Sequence, residues 1–305
     1  MNLLAVSDLD KARIDGLIQR AITLKERHKK GIPYQPLKGK ALGLVFEKAS
    51  TRTRVSFEMA MLHLGGNAVF LGPKDSQIGR GEPVKDTARV LARYVDAMAI
   101  RTFGQEIIDE YARYSSVPVI NALTDLHHPC QVLSDVMTIV EKKGGYEGVK
   151  VCWIGDGNNM ANSWIEAAMI LGFELRLACP EGYEPCAKIL GAAKAKAGVE
   201  IQTVKSPEEA AKDADVLSTD VWASMGQEAE QAKRARAFKG YQINSRLLSL
   251  AEKDAIVMHC LPAHREEEIT EEVLEGPGSV VWDEAENRLH MQKAILEWLL
   301  VETAV

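Results

Sequence analysis

The stretch ALGLVFEKASTRTRVSFEMAMLHLGG, residues 41–66, decides the fold of this chain. Its apolar run 41–46 predicts a buried strand, and the apolar-rich run 55–64 predicts a helix that stops at the glycine pair 65–66. Between them, the hydroxyl and guanidinium side chains of 50–54 stand where the helix begins. Helix N-termini bind anions through unpaired N–H groups, and arginine matches phosphate with two parallel hydrogen bonds. The stretch therefore predicts a phosphate-type anion site. From local sequence, a helix N-cap followed by a solvated arginine remains the alternative.

The same alternation of strand and helix patterns continues along the whole chain. It predicts an α/β fold with parallel, doubly wound sheets covered by helices. The predicted strands are 41–46, 68–71, 97–100, 117–120, 150–154, 174–178, 199–203, 216–218, 256–259 and 280–282. The predicted helices are 8–29, 54–64, 84–94, 106–114, 131–140, 161–171, 185–197, 207–212 and 286–300.

A chain of 305 residues is long enough for two domains of ordinary size. We expect a first domain over 1–135 and a second over 136–286, joined by interdomain helices. We expect the last helix, 287–305, to pack back onto the first domain. The polar run 141–145 marks the end of the joining helix, because lysines suit a helix C-terminus and glycine the residue beyond it.

Composition excludes several classes of protein. A net charge of −6 argues against a nucleic-acid partner. No apolar run approaches the ~20 residues of a membrane helix, and residues 1–11 lack the basic-then-apolar pattern of a secretory signal. Five scattered cysteines without a C-x-x-C pair indicate neither a disulfide framework nor a zinc site. These features predict a cytoplasmic enzyme or binding protein.

Polar residues recur directly after the predicted strands, where α/β sheets bind their ligands. In the first half they are Ser50 to Arg54, Gln77, Arg101, His128 and Gln131, and in the second half Gly155 to Asn159, Asp220, Ser224, Met225 and Cys260. We therefore expect the active site in a cleft between the domains. One wall would bind a phosphate-like group and the other an amine or amino acid.

Several of these residues have a plain structural alternative. His128 and Arg101 could each be an ordinary side chain that is solvated or hydrogen-bonded within the protein, and Asp220 could be a helix cap. Cys260 is compatible with a catalytic thiolate, but the sequence shows no third member of a triad. The Gly155-Asp156-Gly157 turn resembles a dinucleotide-binding fingerprint only weakly, because position 160 is methionine where a third glycine is needed. An NAD-dependent oxidoreductase is therefore the minor alternative.

Taken together, these segments resemble the aspartate/ornithine carbamoyltransferase family over nearly the whole chain. The resemblance is carried by STRTR at 50–54 and HPCQ at 128–131. Within the family, DGNN at 156–159, DVWASMG at 220–226, HCLP at 259–262 and ENR at 286–288 resemble the ornithine branch. The family implies transfer of the carbamoyl group of carbamoyl phosphate to the δ-amine of L-ornithine. The products are L-citrulline and phosphate, as in arginine biosynthesis.

The resemblance also assigns residues to roles. It implies that carbamoyl phosphate binds Ser50, Thr51, Arg52, Thr53, Gln77, Arg101, His128, Gln131, Cys260, Leu261 and Arg288. It implies that ornithine binds Asn159, Asp220, Ser224 and Met225, and that Arg101, His128, Asp220 and Cys260 act in catalysis. Neither a metal nor an organic cofactor is implied. The expected assembly is a homotrimer or a multiple of trimers, and related acceptors such as N-acetylornithine or putrescine remain alternatives.

Overall fold

A computed structural model describes residues 1–72, 81–196, 198, 200–224 and 228–302. The predicted site residues Gln77 and Met225 therefore lie outside the described residues. The chain divides into two compact units, unit 1 (Met1–Met137 with Glu286–Val305) and unit 2 (Thr138–Ala285).

Unit 1 contains a four-stranded parallel sheet with the order β2-β1-β3-β4. Its strands are β1 (Ala41–Phe46), β2 (Asn67–Leu71), β3 (Ala97–Arg101) and β4 (Val119–Leu123). Its helices are α1 (Lys11–Lys29), α2 (Thr51–His63), α3 (Val84–Leu91), α4 (Gln105–Tyr114) and the start of α5 (Pro129–Lys143), which crosses the division between the units. A 3-10 turn (Val6–Asp8) precedes α1.

Local chemistry explains where α2 and α5 begin. The side chain of Ser50 caps α2 by accepting a hydrogen bond from the N–H of Thr53, at 3.3 Å. Pro129 opens α5, where its missing N–H costs nothing and its fixed φ suits the first helical turn. His128 consequently lies in non-helical backbone just before that helix, as the His-Pro sequence predicts.

Unit 2 contains a five-stranded parallel sheet with the order β7-β6-β5-β8-β9. Its strands are β5 (Lys150–Ile154), β6 (Glu174–Ala178), β7 (Ile201–Thr203), β8 (Val216–Thr219) and β9 (Ile256–His259). Its helices are α6 (Asn159–Leu171), α7 (Ala187–Lys194), α8 (Pro207–Ala211), α9 (Gln231–Ala237), α10 (Ser245–Leu248) and α11 (Glu271–Leu274), with a 3-10 turn at Glu228–Glu230. The final helix α12 (Val281–Glu297) begins in this unit, continues in unit 1 and ends in a π-helical turn, Trp298–Glu302.

The predicted α/β fold with parallel sheets is confirmed, but one predicted strand is wrong. Residues 280–282 are not a strand, because Val281 already begins α12. A run of three apolar residues does not distinguish strand from helix. Asp283 and Glu284 in the first turn are typical of a helix N-terminus, where carboxylates are favoured by the helix dipole.

The fourth strand is also displaced from its predicted position. It covers Val119–Leu123 instead of 117–120. The hydroxyl of Ser115 forms hydrogen bonds with the N–H and the carbonyl of Val117, and this local turn keeps Val117 out of the strand.

Among the described residues, no helix has both the length and the apolar character required to cross a bilayer.

Candidate active site

The strand order of unit 1 places its candidate residues at a topological switch point. From β1 the chain continues to β2 on one side, and from β3 it continues to β4 on the other. Sheets of this kind bind ligands beyond the carboxyl ends of such a strand pair. Phe46 pairs with Arg101 in the ladder between β1 and β3, so the segment leading to Ser50 and the side chain of Arg101 leave the sheet at the same edge.

The first turn of α2 is held against α12 by a buried hydrogen bond. The guanidinium of Arg288 donates from Nη2 to Oγ1 of Thr53 over 2.6 Å, and both residues are buried. Arg52 in the same turn is half-buried and Thr51 is exposed. This end of α2 therefore combines backbone N–H groups, hydroxyls and guanidinium groups, which is the chemistry of a phosphate site.

His128 lies in a positively charged environment. Its side chain is buried, and burial together with the charges of Arg288 and Arg101 holds its pKa well below the ordinary value of 6.5. The imidazole is therefore neutral at physiological pH. A neutral ring beside two guanidinium groups can donate a hydrogen bond to an oxygen that gains negative charge during a reaction.

Gln131, a further candidate of unit 1, lies in the first turn of α5 beside Cys130. Gln131 is buried and donates from Nε2 to Asp135 over 2.8 Å, which fixes the side chain along the helix. Cys130 is buried as well, and burial raises the pKa of its thiol to about 12. Cys130 is therefore a small buried thiol and not a nucleophile.

Unit 2 has its own switch point between β5 and β8, and Asp220 follows β8 directly. The carboxylate of Asp220 accepts hydrogen bonds from Nδ2 of Asn158 at 2.9 Å and from the N–H of Val221 at 2.8 Å. Asn158 is itself fixed, because its Oδ1 caps α6 by accepting from the N–H groups of Met160 and Ala161. The carboxylate is thus held in a defined orientation at the edge of the sheet.

The ladder between β8 and β9 brings Cys260 to Asp220. Thr219 pairs with His259 in that ladder, so the residues that follow lie side by side. The thiol of Cys260 donates to Oδ1 of Asp220 over 3.2 Å. Leu261, which has a φ of 57°, is half-buried next to it.

A second pair of buried residues supports this segment. Nε2 of His259 lies 2.9 Å from Oε1 of Glu268, and Nδ1 of His259 accepts the N–H of Leu261 at 2.9 Å. Donor atoms of Asp220, His259 and Cys260 lie within 4.8 Å of one another, a grouping that metals sometimes use. Both nitrogens of this histidine are already engaged within the unit, so the arrangement is a hydrogen-bond network that positions the loop.

Asp156 is engaged by a residue that sequence analysis did not identify. Arg234 donates to its Oδ2 over 2.8 Å, and both side chains are buried. Burial outweighs this partner and raises the pKa of Asp156 to about 6. Arg234 also donates to the carbonyl of Trp222 over 2.8 Å, so it ties the segment after β5 to the segment that carries Asp220 and Ser224.

Three residues support the site without having been predicted as part of it: Arg234, His259 and Glu268. Arg234 acts on Asp156, which is 78 positions away, while His259 and Glu268 pair with each other across nine positions. Asn158, which the sequence placed among the polar residues after β5, directly precedes α6 and is its N-cap. Of the predicted residues, Asn159 is buried in the first turn of α6 and Ser224 is half-buried.

The turn at Gly157 is explained by packing and not by a dinucleotide. The N–H of Gly157 donates to the carbonyl of Tyr183 over 2.8 Å, and the N–H of Gly155 donates to Ala178 over 3.0 Å. A Cβ at position 157 would lie 2.2 Å from the backbone nitrogen of Pro185. These glycine N–H groups are therefore committed to the protein and are not directed at a pyrophosphate.

We expect Gly157→Ala to lower the free energy of unfolding by about 1–3 kcal/mol, the usual cost of overpacking. The added methyl group meets backbone atoms, which cannot rotate away. Thermal unfolding measures the effect. Gly191→Ala is the matched control, because a Cβ there has no neighbour within 4 Å and alanine favours the helix α7. Equal melting temperatures for Gly157→Ala and the wild type would contradict this interpretation.

Two family models match the two parts of the chain. Residues 1–141 match the family model described as aspartate/ornithine carbamoyltransferase, carbamoyl-P binding domain. Residues 147–299 match the model described as aspartate/ornithine carbamoyltransferase, Asp/Orn binding domain.

Individual relatives cover almost the full length of the chain. The ornithine carbamoyltransferase of Geobacter sulfurreducens is 58% identical over 98% of this chain and 99% of its own length. The solved structure of ornithine carbamoyltransferase from Pyrococcus furiosus is 49% identical and has a TM-score of 0.95, covering 100% of this chain and 98% of that one. The anabolic ornithine carbamoyltransferase of Campylobacter jejuni is 45% identical with a TM-score of 0.93, covering 98% of each chain. The chain therefore belongs to the aspartate/ornithine carbamoyltransferase family.

Proposed function

We propose that the protein transfers the carbamoyl group of carbamoyl phosphate to the δ-amine of L-ornithine, giving L-citrulline and phosphate. The observation that carries the proposal is the neutral, buried His128 beside Arg101 and Arg288 at the switch point of unit 1. This arrangement suits an acyl phosphate, which needs cations at the phosphate and hydrogen-bond donors at the acyl oxygen. The names of the relatives support ornithine as the acceptor.

The proposed carbamoyl phosphate site is formed mainly by unit 1. Arg52 and the start of α2 balance the charge of the phosphate, while Arg101, His128 and Thr53 donate to the carbamoyl oxygen. The complete proposed set is Ser50, Thr51, Arg52, Thr53, Gln77, Arg101, His128, Gln131 and Arg288, together with Cys260 and Leu261. We assign this binding to a domain of residues 1–135 with the helix 287–305.

The proposed ornithine site belongs to a domain of residues 136–286. Asp220 accepts hydrogen bonds from the reacting amine, next to the thiol of Cys260. Asn159, Ser224 and Met225 bind the rest of the amino acid. Supporting this assignment, the carboxylate of Asp220 is fixed by three donors, those of Asn158, Val221 and Cys260.

The reaction proceeds by direct attack. The nitrogen lone pair of the amine forms a bond to the carbamoyl carbon, and the carbonyl oxygen takes up negative charge in a tetrahedral intermediate. The carbonyl then re-forms as the bond from that carbon to the phosphate oxygen breaks, phosphate leaves with the electron pair of that bond, and the proton lost by the nitrogen passes to the phosphate. Because carbamoyl phosphate is already activated, the residues need to supply only placement and charge stabilisation. The proposal requires no metal or organic cofactor.

The pH dependence follows from the protonation state of the amine. An alkyl ammonium has a pKa near 10.4, so about one ornithine molecule in 2,500 is neutral at that amine at pH 7. Titration of His128 does not change the rate near pH 7, because its lowered pKa keeps the imidazole neutral there. We expect kcat/KM for ornithine to rise about tenfold per unit between pH 7 and 9. A flat or falling pH–rate profile would contradict nucleophilic attack by the neutral amine.

A conservative change at Cys260 tests whether its thiol is a nucleophile. Serine can also donate to Asp220, so we expect Cys260→Ser to retain activity within about tenfold of the wild type. Steady-state kinetics measures this, and intact-protein mass spectrometry looks for an adduct. Complete loss of activity, together with a trapped carbamoyl-thioester on the wild-type enzyme, would reverse the assignment.

An acceptor panel tests the proposed function as a whole. Carbamoyl phosphate is incubated with ornithine, N-acetylornithine, putrescine, lysine or aspartate, and release of phosphate is measured. We expect ornithine to be preferred. A preference for N-acetylornithine or putrescine would select a related carbamoyltransferase, and no turnover with any acceptor would overturn the proposal.

We further propose that the protein is cytoplasmic, acts in arginine biosynthesis and assembles as a homotrimer or a multiple of trimers. The lack of a membrane-spanning helix among the described residues is compatible with this location. Sedimentation equilibrium on the full chain tests the assembly, and a monomer at micromolar concentration would contradict it.

A further inference from the structure

Unit 1 contains a cleft whose residues take no part in the proposed reaction. It has a volume of about 230 Å³ and lies between α1, the segment after α1, the end of α2, and α12. Arg27, Tyr34, His63 and Lys293 are among its lining residues. Thr53 and His63 are ten positions apart on α2, a distance of about 15 Å along the helix, so this cleft is distinct from the proposed carbamoyl phosphate site.

Lys293 is the most unusual residue of this cleft. Its side chain lines the cleft, yet the residue is only 2% exposed. Within the described parts of the chain, no acceptor or carboxylate pairs with its Nζ, and burial lowers the pKa of this ammonium to about 8. Burying an ammonium without a counter-charge is costly. The cost is recovered if an anion enters the cleft.

The neighbouring histidines also have unused hydrogen-bonding capacity. His63 stacks on His28 with ring centroids 4.3 Å apart, and its Nδ1 is buried without a hydrogen-bond partner. Burial and the charge of Lys293 lower the pKa of His63 to about 4, so the ring is neutral and offers one N–H. The buried Nε of Arg27 likewise has no hydrogen-bond partner. Buried donors of this kind are normally satisfied by protein, water or a ligand.

The carboxylates around the cleft are already paired with other cations. Glu297 accepts from Arg20 and Tyr34. Glu286 lies 3.5 Å from each ammonium of Lys25 and Lys29, and 3.7 Å from Nε2 of the buried His290. Arg27 and Lys293 therefore leave the cleft with an excess of positive charge.

The arrangement favours an anion over a metal ion. Clusters of three close metal-binding donors do occur elsewhere in the described chain, but His28, His63 and His290 do not form one. Stacked rings present their faces to each other and do not converge their nitrogens on one point. The apolar side chains of Leu24 and Leu64 form part of the wall and suit a small organic group.

We propose that this cleft binds a small oxyanion, a carboxylate or a phosphate, whose charge pairs with Lys293 and whose oxygens accept hydrogen bonds from Arg27 and His63. A volume of about 230 Å³ far exceeds the ~10–15 Å³ that one water requires, so an anion of several atoms fits. The site is independent of the carbamoyl transfer reaction, and its occupancy does not depend on which acceptor the enzyme uses.

Nuclear magnetic resonance of the histidine rings tests this proposal locally. Protein labelled with ¹³C-histidine is titrated with acetate and, separately, with phosphate at pH 7. The signals of His28 and His63 are assigned from His28→Gln and His63→Gln. We expect saturable shifts of both signals with at least one anion, and the anion that produces them identifies the class. Phosphate binding at the proposed reaction site does not mimic this result, because the readout belongs to rings at the far end of α2.

The variant Lys293→Met tests whether the ammonium of Lys293 pairs with the bound anion. The matched control is Lys85→Met, because Lys85 is an exposed lysine on α3. We expect affinity for the anion to fall about tenfold or more in Lys293→Met and to be unchanged in Lys85→Met. Equal affinity in Lys293→Met and the wild type would overturn the proposal. So would the lack of any saturable shift in the wild type with either anion, a result that requires no variant to fold.

Discussion

Replacing Arg101 with alanine is expected to lower kcat for citrulline formation about 10²–10³-fold, the usual effect of removing one donor from a developing oxyanion. Arg101 is buried at the carboxyl end of β3, next to the connection that leads from β1 to α2. Its charge also contributes to the low pKa of His128. Stopped-time assays at saturating carbamoyl phosphate and ornithine measure the change in kcat.

Arg113→Ala provides the control, because Arg113 is an exposed arginine in the last turn of α4 of the same unit. Its kinetics should equal those of the wild type. If Arg101→Ala is folded by circular dichroism and keeps more than about a tenth of the wild-type kcat, Arg101 does not stabilise the oxyanion.

Asp220→Asn is expected to lower kcat/KM for ornithine about 10- to 100-fold, with the fold retained. The carboxylate accepts three hydrogen bonds, from Asn158, Val221 and Cys260. An asparagine has one acceptor oxygen, so its amide group must face at least one of these donors, and it no longer attracts an amine by charge. Hydrogen bonds to charged groups contribute about 1.5–3 kcal/mol, which corresponds to this range.

The matched control in the same unit is Asp213→Asn. Asp213 is exposed and has a φ of 54°, a conformation that asparagine tolerates well. Wild-type kinetics are expected for it. A loss at Asp220→Asn that appears only in KM for carbamoyl phosphate, with ornithine binding unchanged, would place Asp220 outside the ornithine site.

Most of the fold was predictable because the strands are short apolar runs with clear boundaries. The strands 41–46, 150–154, 174–178 and 256–259 are found where the sequence predicts them. The carboxyl ends of these strands also predicted where the polar side chains lie, since all strands of a parallel sheet end at the same edge. The register of β8 with β9 then explains why Asp220 and Cys260, which are 40 positions apart, form a hydrogen bond.

The partners of the candidate residues were less predictable. Arg234 reaches Asp156 across 78 positions, and nothing in the local sequence around Arg234 distinguishes it from a solvated arginine on α9. The wrong strand at 280–282 has a similar origin. Three consecutive apolar residues fit the two-residue period of a strand as well as the 3.6-residue period of a helix. The first turn of this helix also forms a long-range contact, because Glu284 accepts a hydrogen bond from the N–H of His259.

The hydrogen bond between Arg288 and Thr53 has a consequence for protein synthesis. The two residues are 235 positions apart, and all of unit 2 is translated between them. A ribosome-bound chain that has already formed the sheet of unit 1 still lacks the Arg288 guanidinium and the helix that carries it. Under the proposed assignment of Arg288 to the carbamoyl phosphate site, the ligand cannot stabilise the emerging first unit fully, and ligand-assisted folding has to wait until translation has passed position 288.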